Sequence, residues 1–154
     1  MLRLGVVSDT HGLLRPEVLE KLRGCQRILH AGDVGAPEIL DQLAQLAPVE
    51  AVRGNVDHGP LSSLPRSLEG KIEEVPFHVV HRREDVDPAW SKNGGLVIFG
   101  HSHRPELEWR GRALWLNPGA AGPRRFSLPL TLAHVTIDGS RMIPEILSLE
   151  TAPT

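Results

Sequence analysis

The sequence predicts an α/β fold in which two β-sheets pack face to face with helices outside. Two observations carry this expectation. In the first half, short apolar runs alternate with segments of helical spacing, the pattern of strands joined by helical crossovers in a parallel sheet. In the second half, strand-like runs come in pairs around turn residues, which marks hairpins and a second, more antiparallel sheet. A third observation concerns chemistry. Aspartate, histidine and asparagine recur just past the ends of the apolar runs, where open α/β sheets collect their ligands.

The elements follow in order. Residues 2–7 (LRLGVV) read as a strand that runs into Asp9. Residues 16–22 read as a helix, with Pro16 suited to its first turn and Gly24 to its end. A second strand is expected at 27–31. A helix at 37–46 follows, because Ile39, Leu40, Leu43 and Leu46 repeat at helical spacing. The third strand is expected at 49–53. Residues 54–70 read as a polar loop holding Pro60 and Pro65, 71–81 as a strand broken near Pro76, and 85–91 as a short helix. Residues 95–99 form another apolar run. The pairs 106–109 with 113–116 and 130–137 with 141–149 flank turns at Gly111 and Asp138-Gly139, the latter a favoured hairpin turn.

The 154 residues fit a single domain spanning 1–154, long enough to bury a core without staples. With 40% hydrophobic and 23% charged residues, the chain has an ordinary globular balance and not a disordered one. A formal charge of −2 argues against non-specific attraction to nucleic acid, although two bound divalent cations would reverse the local sign. Cys25 is the only cysteine, which excludes an intrachain disulfide and thiolate clusters. The apolar start is too short for a signal peptide or a membrane span, so a cytoplasmic protein with no membrane partner is expected.

Asp9 and His11 follow the first strand, Asp33 the second and Asn55 the third; His81 ends the fourth run, and His101 and His103 follow the fifth. Gly12, Gly32, Gly54 and Gly100 stand beside them. Carboxylate, imidazole and amide oxygen without thiolate suit manganese, iron or zinc and suit calcium poorly. Seven ligands exceed one tetrahedral site, but fill two open sites if one carboxylate bridges. Two such ions about 3.5–4 Å apart activate water and hold the phosphoryl oxygens of an in-line displacement. Aspartate before a helix is commonly a cap, but capping does not account for the histidines and Asn55 in the same pattern.

The order Asp9-x-His11, Gly32-Asp33, Gly54-Asn55, His81, Gly100-His101-x-His103 resembles the calcineurin-like metallophosphoesterases, and within them the small bacterial and archaeal single-domain phosphodiesterases. The likeness extends through Asn117-Pro118-Gly119, which it places near the site as a support, and through the closing strands. It implies a β-sandwich flanked by helices and a hydroxide held between two divalent ions, manganese foremost, with iron, zinc or nickel as alternatives. By this resemblance Asp9, His11 and His103 would hold one ion, Asn55, His81 and His101 the other, and Asp33 would bridge them. Catalysis would be assigned to Asp33, Asn55 and His101.

Two departures stand out. Where many of these phosphatases carry a histidine general acid after the asparagine, this chain has Val56, followed by Asp57 and His58. Without that donor, esters with stable leaving groups are favoured, since general acid catalysis is worth about 10²–10⁴-fold; His58 is an alternative donor at different spacing. After the fourth-strand histidine the family usually has glycine, but here Arg82-Arg83 follows. His78, on the opposite face of a regular strand, is therefore a rival to His81. His30 and His134 read as packed or surface imidazoles. Arg124 and Arg125 are candidates for substrate phosphate, Trp90 for a substrate wall, and Trp109 and Trp115 for packing. The expected substrate is a small phosphodiester or nucleotide-like molecule, with nucleic acid and self-association left open. Phosphomonoester hydrolysis and a non-catalytic protein-binding scaffold of the same fold are the alternatives.

Overall fold

Strands β1 (Leu2–Val7), β2 (Arg27–His30) and β3 (Val49–Ala51) run parallel to one another in the computed structural model, which describes residues 1–92 and 94–150. The last four residues of the expected domain thus lie outside the described ones. Helices α1 (Pro16–Leu22) and α2 (Pro37–Ala44) make the crossovers, each with proline in its first turn, where the missing N–H has no helical partner to lose. Helix α2 ends two residues before the expected 46, because the N–H groups of Gln45 and Leu46 turn back to carbonyls three residues earlier and tighten the last turn.

The second sheet comprises β4 (Ser67–Ile72), β5 (Val75–Val80), β6 (Gly95–Ile98), β7 (Glu106–Arg110) and β8 (Ala113–Asn117), in the order β4-β5-β6-β8-β7. Its three central strands are parallel and its two edge strands antiparallel. The closing hairpin, β9 (Thr131–Asp138) and β10 (Arg141–Ser148), joins the first sheet on the free side of β1, giving β10-β9-β1-β2-β3. Both sheets are therefore mixed, which corrects the expectation of one parallel and one more antiparallel sheet. Periodicity reveals a hairpin but not the edge it meets. Here β1, apolar and central, takes a neighbour on each side.

The segment expected as loop 54–70 contains a 3-10 turn at Gly59–Ser63 and the start of β4. The run 71–81 is a hairpin turning at Glu73, whose φ is 52°, and not one strand broken at Pro76. Strand β4 escapes sequence reading because it is a mostly exposed edge with little apolar residue to alternate. Residues 85–91 form 3-10 turns, Arg83–Asp85 and Pro88–Ser91, in place of one helix.

The two sheets meet through Leu4, Val6, Leu29, Val135 and Ile137 on one side and Phe77, Val79, Leu96, Ile98, Leu114 and Leu116 on the other. Val18, Leu22, Ile39 and Leu43 seal the helices onto the outer face of the first sheet. Among the described residues the outer face of the second carries no α-helix; Val97, Phe99, Ala113 and Trp115 are covered there by Val86 and Trp90 of the 3-10 segment. Among the described residues no helix is long and apolar enough to cross a membrane.

Candidate metal centre

The loops after β1, β2, β3, β5 and β6 converge. Hydrogen bonds lace the first two together: Asp9 N donates to Gly32 O (3.0 Å), His11 N to Asp33 O (2.9 Å) and Gly12 N to Val34 O (2.8 Å). The sheets are joined where His101 N donates to Asp9 Oδ2 (3.1 Å), an oxygen that also accepts from Ser8 Oγ (2.7 Å). Neither Asp9 nor Asp33 caps a helix; the caps are Arg15 and Ala36.

Backbone strain concentrates here. Among the described residues, seven non-glycines have positive φ, and five of them are Asp9, His11, Asp33, His101 and His103, at 47° to 72°. Such conformations cost of order 1 kcal/mol or more each and persist where the surroundings over-determine them, as functional sites do. Close approach is equally demanding. A Cβ on Gly32 would come 2.7 Å from His81 Nδ1, and one on Gly54 would collide with the backbone and carboxylate of Asp33.

Two groups of donors result. One nitrogen or oxygen each from Asp9, His11 and His103, and likewise from Asp33, His81 and His101, lie within 4.8 Å of one another. Asp9 Oδ1 faces His11 Nε2 at 3.6 Å and His103 Nε2 at 3.5 Å. Asp33 Oδ2 lies 3.5 Å from His11 Nε2 and 3.1 Å from His81 Nε2, so it stands between the groups, while its Oδ1 accepts from Val56 N at 3.1 Å. His81 is oriented by Nδ1, which donates to Ala31 O at 2.8 Å and leaves Nε2 as a lone pair toward Asp33, the usual arrangement behind a ligating imidazole.

Asp9 Oδ1, His11 Nε2 and His81 Nε2 are buried without a hydrogen-bond partner, although buried polar atoms are rarely left so. A divalent cation in each group fits these donors in charge and in kind. Electrostatics agree. Burial alone would raise the Asp33 pKa, but His81, the Val56 N–H and His11 hold it well below the usual carboxylate range. The Asp9 carboxylate, outweighing burial, raises the His11 pKa; for His81 burial is the largest single influence and pulls downward, but Asp33, Asp9 and the Ala31 carbonyl together raise its pKa. For His103 burial dominates and its pKa falls.

The other candidates separate. Asn55 is exposed and lines, with His81, a cleft of 620 Å³. His78 points away: its ring stacks on Trp90 at 5.2 Å, with Nδ1 3.2 Å from Leu68 O. Trp90 is thereby committed to the outer face of the second sheet and forms no wall of the site. Trp115 is buried, but Trp109 is half exposed on an edge strand and does not pack as expected. Arg124 is held by Leu128 O and Glu150, whereas Arg125 is the arginine whose charge bears on His11 and His103. His58 is exposed at the start of the 3-10 turn. Asn117 braces the last loop, its Nδ2 donating to Gly100 O (3.2 Å) and Ser102 Oγ (3.1 Å).

Sequence reading passed over two supports. Asp57, fully buried, accepts Gly35 N at Oδ1 (3.0 Å) and Gly54 N at Oδ2 (2.8 Å), clamping the loops of Asp33 and Asn55 together. Its only signal was a charge two residues beyond Asn55. His30, also fully buried, accepts from Gly32 N (3.1 Å) and lies 3.0 Å from Thr10 Oγ1, which donates to Val34 O (2.8 Å). Burial lowers its pKa to about 4.

The model of the calcineurin-like phosphoesterase superfamily domain matches residues 2–140. A probable metallophosphoesterase of Methanothermobacter thermautotrophicus is 34% identical over 157 residues, covering 94% of this chain and 91% of its own. Among solved structures, an archaeal phosphodiesterase superposes with a TM-score of 0.77 at 21% identity, over 95% of this chain and 100% of that one. Zinc-bound Vps29 from Entamoeba histolytica superposes with a TM-score of 0.73 at 23% identity, over 97% and 100%. At such identities the structural likeness speaks for the fold.

Proposed function

Because the chain belongs to the calcineurin-like phosphoesterase superfamily, we propose that it is a metal-dependent phosphodiesterase, acting in the cytoplasm on a small phosphodiester or nucleotide-like substrate. One observation carries this reading: Asp33 Oδ2 lies between His11 Nε2 and His81 Nε2, at 3.5 and 3.1 Å, so two donor groups share one oxygen. In the proposal Asp9, His11 and His103 would hold one divalent ion, Asn55, His81 and His101 would hold the second, and Asp33 would serve both. Manganese is the foremost candidate for this donor set. When bound, the ions supply a nucleophile from water and offset the charge that gathers on the phosphoryl oxygens.

The chain's own residues do the rest. Asp33, with its pKa held low, stays ionised across the working range. Ala31 O fixes the His81 tautomer, so the lone pair of Nε2 is ready without rearrangement. No proton donor follows Asn55: Val56, 42% exposed, presents an apolar side chain there. The leaving group must then depart without help from that position, which favours diesters whose leaving oxygen is already stable. A scaffold used only for docking has no need of unpartnered buried donors or strained ligand loops, and this disfavours the non-catalytic alternative.

The test is hydrolysis of bis-p-nitrophenyl phosphate by chelator-stripped protein reloaded with manganese, zinc or magnesium. Turnover is expected to return with manganese and to vanish in Asp33→Ala, together with metal content. Absence of turnover with every metal, despite two ions bound, would sink the proposal.

A further inference from the structure

We propose that the cleft beside His81 is a subsite for a second phosphate group of the substrate, gripped by Arg66 and Arg82. This inference rests on the phosphodiesterase reading and extends it to a class of substrate. The cleft measures 620 Å³, the scale of a nucleotide pocket, and is lined by Arg53, Arg66 and Arg82 together with Asn55 and His81. It therefore opens directly from the second donor group, where a substituent of the scissile phosphate would extend.

Charge is what marks the cleft. Among the described residues the arginine–glutamate ion pairs lie elsewhere: Arg27 with Glu50, Arg83 with Glu106 and Glu108, Arg110 with Glu108, Arg124 with Glu150. Among the described residues Arg66 and Arg82 enter no ion pair, and Asp85, the carboxylate lining the same cleft, pairs with neither. Arg53 is steadied by Nε donating to Asp57 O at 3.1 Å. Three guanidiniums against one carboxylate leave an excess of positive charge. The planar fork of arginine matches phosphate oxygens two at a time.

Arg82 and Arg83 diverge in a telling way. Arg83 is consumed structurally, bound by Glu106 and Glu108 and laid over the Trp115 ring at 5.6 Å. Arg82, at the position where the family resemblance leads one to expect glycine, instead lines the cleft. Side chains also separate the two ends of the site: Arg125 acts on His11 and His103, and Arg66 and Arg82 lie on the His81 side.

The experiment compares kcat/KM of the manganese-loaded chain for thymidine 5′-(p-nitrophenyl phosphate) and its 3′-phosphorylated form, both of which release p-nitrophenolate, with bis-p-nitrophenyl phosphate as the reference substrate. The full chain should prefer the 3′-phosphorylated ester by about tenfold or more, the worth of one charge-assisted phosphate grip, and the preference should shrink with added salt. In Arg66→Ala/Arg82→Ala the ratio of the 3′-phosphorylated to the unphosphorylated ester should fall to near one. Calorimetric binding of thymidine 3′,5′-bisphosphate to the chelator-treated full chain, compared with the same double variant, tests the grip without turnover; weakening of about tenfold is expected. Hydrolysis of the reference substrate with equal kcat/KM on the two thymidine esters, or a ratio unmoved in the variant, overturns the subsite while sparing the phosphodiesterase reading. Failure on the reference substrate overturns that reading instead, and bisphosphate binding identical in both proteins overturns the subsite on its own.

Discussion

Replacing Asp57 by asparagine should loosen the site without touching any proposed ligand. The Asp57 carboxylate is fully buried and accepts one N–H at each oxygen, from Gly35 at 3.0 Å and Gly54 at 2.8 Å. An asparagine amide has one acceptor oxygen, so in either orientation its NH₂ meets a backbone N–H. The surviving bond drops from charge-assisted to neutral, a loss of about 1 kcal/mol, and the orphaned buried N–H costs about 1–3 kcal/mol. Asparagine is easier to desolvate than a carboxylate, which trims the total to about 2–3 kcal/mol. With a urea slope of about 2 kcal/mol/M, the unfolding midpoint of metal-free protein should fall by about 1–1.5 M. Because Gly35 and Gly54 flank Asp33 and Asn55, manganese affinity should also drop about 10–100-fold, the range for residues that orient ligands. Asp57→Ala, which orphans both N–H groups, should be worse on both counts. A midpoint shift below about 0.3 M with unchanged metal affinity would refute the clamp.

His30 makes stability depend on pH. Its folded pKa of about 4 lies below the ordinary 6.5, so between these values the unfolded chain binds a proton that the folded chain refuses. This contribution is fully present above pH 6.5 and is lost as pH falls toward 4, by up to about 3 kcal/mol; His30→Gln, compared by urea titration at pH 7 and pH 4.5, should flatten the acid decline. Metal affinity has its own pH dependence. The pKa values of His11 and His81 are raised above 6.5 in the metal-free chain, and only neutral imidazole ligates, so protons compete with metal starting above pH 6.5. Calorimetry in buffers of different ionisation enthalpy should record more protons released per manganese as pH drops through that region, and a pH-independent release would contradict the proposed ligation. Gly54→Ala adds a methyl where Asp33 already sits, so manganese content measured by elemental analysis should fall sharply; retention of two ions would mean that the loop yields easily.

Much of the architecture was legible because it obeys local rules. Prolines at 16 and 37 and helical spacing marked the two helices, and the turns at Gly111 and Asp138-Gly139 marked two hairpins. The residues of both donor groups were visible for a related reason: each stands just past an apolar run, and strand ends are where a sheet offers side chains to a ligand. Strand β4 was not legible, since an exposed edge of Ser, Leu, Glu, Gly, Lys and Ile carries no strict alternation.

What the sequence by itself determined is the inventory and its order: alternating strands and helices, then hairpins, with Asp, His and Asn delivered at successive strand ends. Tertiary structure decided which of these meet. Packing of two sheets put Asp33 between His11 and His81, turned His78 onto Trp90, tied Arg124 to Glu150 and left Arg82 in a cleft while Arg83 was spent on glutamates. It also assigned Asp57 to two amides 22 and 3 residues away. Periodicity encodes the face a residue occupies within its own element, whereas distances between loops depend on how separate elements stack, and no local pattern carries that information.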